Sequence, residues 1–140
     1  MVFLSLLGCA ALQSQILDEQ ESRMFATAAG EYWRAVRWND PAGAAKYLED
    51  PADRLKLGRA MTDGRYRLTD AEVVQVVLGD PLPRTARPNT RDGTVIVKLE
   101  TVDQRMNRVE VQTVEQHWAK SALGWHVDAE RSPLGADRPW

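Results

Sequence analysis

Groups able to do chemistry are few in this chain, and their types limit what that chemistry can be. Cys9 is the only cysteine, so no disulfide can close within the chain and no thiolate cluster is available to a metal. The two imidazoles, His117 and His126, stand nine positions apart in a stretch that reads as strand. No carboxylate spacing around them matches a metal signature, so neither a metal nor another cofactor is expected. In "VEQHWAK", Glu115 shares strand parity with His117, which makes this the one pair in which a carboxylate could assist an imidazole in acid–base work. Such residues more often line a solvated edge. A proton-abstracting carboxylate needs burial in an apolar pocket to raise its pKa, and no acid here sits on a dry strand face, so no catalytic set is assigned.

The thiol itself has a chemical setting. Residues 1–12, "MVFLSLLGCAAL", are apolar apart from Ser5 and Gly8, well short of the ~18–20 residues that cross a bilayer as a helix. An apolar stretch followed by small residues has two of the three parts of a secretory signal; an upstream start would supply the missing basic part. Leu6, Leu7, Gly8 and Cys9 resemble the bacterial lipobox, in which an aliphatic residue, a tolerant position and a small residue precede the cysteine. The resemblance implies cleavage after Gly8, a diacylglyceryl group on the Cys9 sulfur and an acylated new amine. Ala10 after the cysteine points, on the same analogy, to the periplasmic face of the outer membrane. The alternative is that Cys9 is a small hydrophobe in an N-terminal helix, as free cysteines often are. Residues 1–8 are thus read as signal and 9–18 as a lipid-bearing tether. One acyl chain alone attaches only marginally; two or three hold firmly.

The elements that must carry the remaining groups follow from hydrophobic period. In "EQESRMFATAAGEYWRAVRWND", Phe25, Ala28, Ala29, Tyr32, Trp33 and Val36 fall three and four apart along one stripe of a helix ending near Asn39. Gly30 either weakens that helix or marks a close approach. Asp40-Pro41 reads as the cap and first residue of a second helix, and Pro51 opens a third, with Leu55 and Met61 inward and Asp63-Gly64 as its stop. Beyond Gly64 the period becomes that of strands. "RYRLTDAEVVQVVLGD" is the first, with a kink near Thr69-Asp70; three prolines make "PLPRTARPNTRDG" a surface loop without repeating structure. In "TVIVKLETVD", Val95, Val97 and Leu99 share one face. In "VEVQTVEQHWAK" the apolar parity switches from Val109 and Val111 to Val114 and Trp118, which predicts a bulge near Thr113. "SALG" turns into a last strand with Trp125 and Val127 alternating against His126, and residues 131–140 read as an irregular tail from which Trp140 could dock back.

Helices followed by antiparallel strands define an α+β fold: two or three N-terminal helices on a curved four-stranded antiparallel sheet, one domain over 19–130. With 44% hydrophobic and 27% charged residues the chain can bury a core. Its 18 basic and 20 acidic residues and pI near 5.7 give no footprint for nucleic acid; the arginines around 54–67 and 84–91 are interleaved with acids and read as a solvated face.

The segments "EYWRAVRWNDPAGAAKYL" and "VEQHWAKSALGWHVD" are similar to envelope lipoproteins of the nuclear transport factor 2-like superfamily, a curved sheet wrapped on a long helix. That superfamily holds isomerases, dehydratases, small-ligand carriers and non-catalytic assembly modules, so the fold does not choose among them. The resemblance implies a cavity between long helix and sheet, for which Tyr32, Tyr47, His117 and Trp118, with Glu115, are the pocket candidates. The resulting expectation is a non-catalytic, lipid-anchored binding or assembly module facing the periplasm. It would be held to the membrane through Cys9 and engage an envelope protein partner. The alternative is a small-molecule carrier or isomerase-like enzyme using that cavity. A homodimer through the convex or edge surface of the sheet is compatible with either, since open edges invite pairing.

Overall fold

The computed structural model describes residues 6–135, 138 and 140, with side chains from residue 11 onward. Residues 1–5 of the signal segment and the side chain of Cys9 lie outside the described residues. Three helices, α1 (Leu6–Arg37), α2 (Pro41–Ala45) and α3 (Pro51–Asp63), precede four strands, β1 (Tyr66–Pro81), β2 (Arg91–Asp103), β3 (Arg108–Ser121) and β4 (Gly124–Val127). The strands form one antiparallel sheet in the order β1-β2-β3-β4. The α+β architecture is therefore the one read from the sequence.

The long helix starts earlier than its buried stripe. Leucine, alanine and glutamine dominate residues 6–17, which contain no proline, a composition that favours helix by itself. Residues 11–20 are all exposed, including Leu12, Ile16 and Leu17; packing begins with Asp18, whose carboxylate meets Arg91 at 2.9 Å. From there Phe25, Ala29, Tyr32, Trp33 and Val36 are buried against the sheet, at the three-and-four spacing a helix requires for one face. Asp40 caps α2 by accepting from the Gly43 N–H, and Asp50 caps α3 by accepting from Ala52.

Three local expectations fail for stated reasons. In α3 the inward residues are Leu57 and Ala60 with Met61 half-buried, while Leu55 is 58% exposed, because the cap at Asp50 sets a phase that turns Leu55 to solvent. The bulge near Thr113 is absent: β2 and β3 keep one register from Arg91↔Lys120 to Asp103↔Arg108. The parity switch comes instead from Val109 and Val111 standing exposed on the outer face. The loop after β1 contains a turn of 3-10 helix at Arg84–Ala86, and its last residues already belong to β2. The kink in β1 is present as a register shift between Leu68 and Asp70, and Trp140 packs against the core.

Inner positions of β2 (Val95, Val97, Leu99) are fully buried. Gly93 belongs to the same row: a Cβ there would lie 2.3 Å from the ring of Phe25, which stacks on Trp125 at 4.1 Å. Gly30 is the reverse case, with no atom near where its Cβ would be. Gly93→Ala should thus destabilise by about 1–3 kcal/mol through overpacking and Gly30→Ala should stabilise by about 0.5–1 kcal/mol. Urea denaturation of the two variants, shifting in opposite directions, is the check.

At the far end, Asp103 closes the β2–β3 turn. Arg65 donates to both of its oxygens at 2.8 and 2.6 Å, and the N–H groups of Arg105 and Met106 donate to Oδ1. The Arg65 bonds hold the carboxyl down to about 2; burial opposes them and the two N–H groups add to them. A lowered folded pKa contributes stability that is complete above the unfolded value of 3.8 and is lost as pH falls through about 2. Asp103→Asn should therefore lower stability at neutral pH and flatten its acid dependence between about pH 4 and about pH 2, as read from denaturation midpoints across that window.

Candidate functional site

The space between α1 and the sheet is built from aromatic side chains. α1 sends in Tyr32 and Trp33, one step apart on its inner face; β3 sends Gln116 and Trp118, two apart and therefore on the same face. Tyr47, beyond α2, reaches the same cluster. Tyr32 meets Trp33 edge-on at 5.3 Å and Trp118 at 5.7 Å, while Tyr47 lies 6.3 Å from Tyr32 and 5.9 Å from Trp118. Tyr32, Trp33 and Trp118 have 1% exposure or less. Within this packing the Gln116 amide oxygen accepts from both indoles, Trp33 Nε1 at 3.1 Å and Trp118 Nε1 at 2.8 Å. One neutral acceptor thus satisfies two buried donors that each need a partner.

The two tyrosines differ in chemistry. Burial pushes the Tyr32 hydroxyl far above the usual phenol range; the Gln116 amide pulls the other way, yet no bond of ordinary geometry joins the two groups. Tyr47 is pushed up to about 12 by burial and by the Glu31 carboxylate, to which it donates. Both phenols therefore stay protonated at neutral pH, and neither serves as a base.

Glu115 and His117 fall on the opposite parity of β3 and stay out of this cluster. Their side chains are 62% and 27% exposed, with 3.8 Å between Oε1 and Nε2. The backbone of His117 is held by the C-terminal segment: its N–H donates to Ser132 Oγ at 2.7 Å, and its carbonyl accepts from Asp128 N–H at 2.9 Å. A groove of about 310 Å³ opens there, lined by Trp33, Val114, Gln116, His117, Ser132 and Trp140 among others. Of the five pocket candidates, the fold brings together Tyr32, Tyr47 and Trp118, and places Glu115 and His117 at the margin.

Sequence reasoning missed Gln116, whose neighbours "EQH" give no sign that its amide faces inward between two indoles. It also missed a polar set at the β3–β4 hairpin. Ser121 Oγ donates to Glu49 Oε1 at 3.1 Å, and His126 Nδ1 lies 3.3 Å from the same oxygen. With the Gly124 carbonyl 3.4 Å from Nδ1 as well, that nitrogen carries the proton. The carboxylate sits between hydroxyl and imidazole, whereas nucleophile activation needs the imidazole in the middle; this arrangement leaves Ser121 protonated. It borders a groove of about 420 Å³ walled by Leu48, Pro88, Leu123 and Trp125.

No protein-family model matches the chain, and no curated protein or solved structure matches it.

Replacing Gln116 by Leu keeps the volume and leaves both indole N–H groups unpaired. The expected loss is at least about 2 kcal/mol, since each orphaned buried donor costs ~1–3 kcal/mol. Glu115→Ala should cost under about 0.5 kcal/mol, as exposed substitutions do. Tryptophan-fluorescence unfolding curves of the two variants test the contrast.

Proposed function

We propose that this chain is a non-catalytic binding or assembly module of the bacterial envelope, anchored through lipid on Cys9 at the periplasmic face of the outer membrane. Its working surface is the outside of the fold. The observation that carries this reading is the aromatic filling between α1 and the sheet, where Phe25, Tyr32, Trp33 and Trp118 occupy the space a carrier or isomerase of this architecture would keep open. Two features support the anchor. The segment Leu6–Cys9 resembles a lipobox, and residues 11–17 of the same helix are exposed, with the first ion pair to the body at Asp18. At about 1.5 Å per residue, residues 9–18 hold the body roughly 14 Å from the attachment point. Among the described residues no helix is long and apolar enough to cross a membrane, so attachment on this reading rests on the lipid.

A second reading, a small-ligand carrier, is favoured by the groove beside Gln116 and His117. It would take a ligand at the rim of the fold.

Intact-mass analysis of protein extracted from membranes tests the anchor. The expected product starts at Cys9 and carries a diacylglyceryl thioether and an N-acyl group, and Cys9→Ser should move the protein to the soluble fraction. A chain retaining Met1 with a free thiol at Cys9 would overturn the anchored reading.

A further inference from the structure

The groove of about 420 Å³ between the α2–α3 connection and the β3–β4 hairpin has the size of a small-molecule site. Backbone bonds hold its sides together. Val127 N–H donates to the Tyr47 carbonyl at 2.8 Å and ties the connection to β4, while Thr90 N–H donates to the Lys120 carbonyl at 2.7 Å and ties the loop carrying Pro88 to β3. The walls, Leu48, Pro88, Leu123 and Trp125, are mainly apolar. Leu123, at the hairpin turn, is 93% exposed, so it offers apolar area that an occupant of the groove would cover.

The charges lining this groove do not balance. Arg54 donates its Nε to the Leu48 carbonyl at 2.7 Å, which fixes the guanidinium and leaves both terminal nitrogens without a carboxylate among the described residues. Lys46, in the same lining, makes no ion pair among them either. Against these two cations stands one acid, Glu49, whose Oε1 already receives Ser121 Oγ and His126 Nδ1. The His126 side chain is only 10% exposed, and its Nε2 has no partner among the described residues, yet it is not sealed from solvent. The groove is where solvent meets that ring.

A guanidinium held at Nε with its two terminal nitrogens open is preorganised for the two oxygens of a carboxylate. Apolar walls suit a body without further charge. We propose that this groove binds a small amphipathic carboxylate, its head on Arg54 and Lys46 and its apolar body along Leu48, Pro88 and Trp125 with Leu123 folded over it. His126 Nε2 gives the head a third polar neighbour, which donates when the ring carries both protons. A cationic ligand would meet two like charges while the acid is already engaged, and a neutral apolar one would gain nothing from the fixed guanidinium.

This inference goes beyond the anchored-module reading and depends on neither the lipid nor the membrane, so its test uses the full chain with Cys9→Ser. Calorimetric titration with octanoate should give a dissociation constant below ~1 mM, and hexanoate should bind roughly tenfold more weakly, as two fewer buried methylenes imply. Octanol and octylamine, with the same body, should each bind at least ~10-fold more weakly than octanoate. Arg54→Gln combined with Lys46→Gln should weaken octanoate by at least ~10-fold. Two single changes guard against misfolding: Lys46→Gln removes a side chain with no ion pair to lose, and Leu123→Ser alters an exposed position. Both should weaken octanoate about threefold or more with the urea midpoint unchanged. The proposal is overturned by no binding of octanoate at ~10 mM, by octanol binding as well as octanoate, or by a preference for octyl phosphate. An affinity indifferent to the double variant, or lost instead through Arg131→Gln in the groove beside Trp140, overturns it as well. Failure of the anchor alone, seen by mass, leaves it standing.

Discussion

Two indole N–H groups share one amide oxygen at the centre of this protein, and the rest of the architecture is arranged around that point. Trp33 comes from the long helix, Trp118 from the third strand, and Gln116 holds both. In an apolar surrounding such bonds are strong because water does not compete, and the cost of breaking them is the full desolvation of the donors. The bonds also fix the rotation of α1 over the sheet: the helix cannot turn or slide without withdrawing Trp33 from its acceptor. Phe25, two turns earlier, must then lie against Gly93, where a Cβ would meet its ring.

From that centre the polar groups work outward as clamps. Glu21 accepts from Lys120 at 2.8 Å and from Trp125 Nε1 at 2.7 Å, and Asp18 pairs with Arg91. These contacts set where the packed part of α1 begins, and so how much helix is left free toward the N-terminus. At the other end Arg65 and Asp103 tie the start of β1 to the turn after β2. The Arg65–Asp103 and Lys120–Glu21 pairs are largely covered, and they act on elements whose positions the aromatic core has already restricted. A filled interior with clamped ends directs attention to the outer surfaces, which is why the proposed role is one of presentation and assembly.

A sheet packed against a long helix leaves space whose contents depend on side-chain volume. Large aromatics at residues 25, 32, 33 and 118 close it. Concavities at the margins include one beside the C-terminal segment, one beside the β3–β4 hairpin and one where the end of α1 meets α3 and the start of β1.

Much of the fold was legible in the chain. Period alone gave the inward stripe of α1 and the dry face of β2, and the Asp-Pro pairs marked two helix starts, because these features depend on neighbours within a turn or two. Burial pattern misled where apolar residues faced water, as at Leu55, Val109 and Val111; a valine carries the same signal on either face. Tertiary structure alone decided that Gln116 serves Trp33, 83 positions away, that Glu115 and His117 stand outside the aromatic cluster, and that β3 pairs with β2 in one unbroken register. Each of these depends on which strands are neighbours and where the chain returns, and that information lies in long-range packing, not in any short stretch of residues.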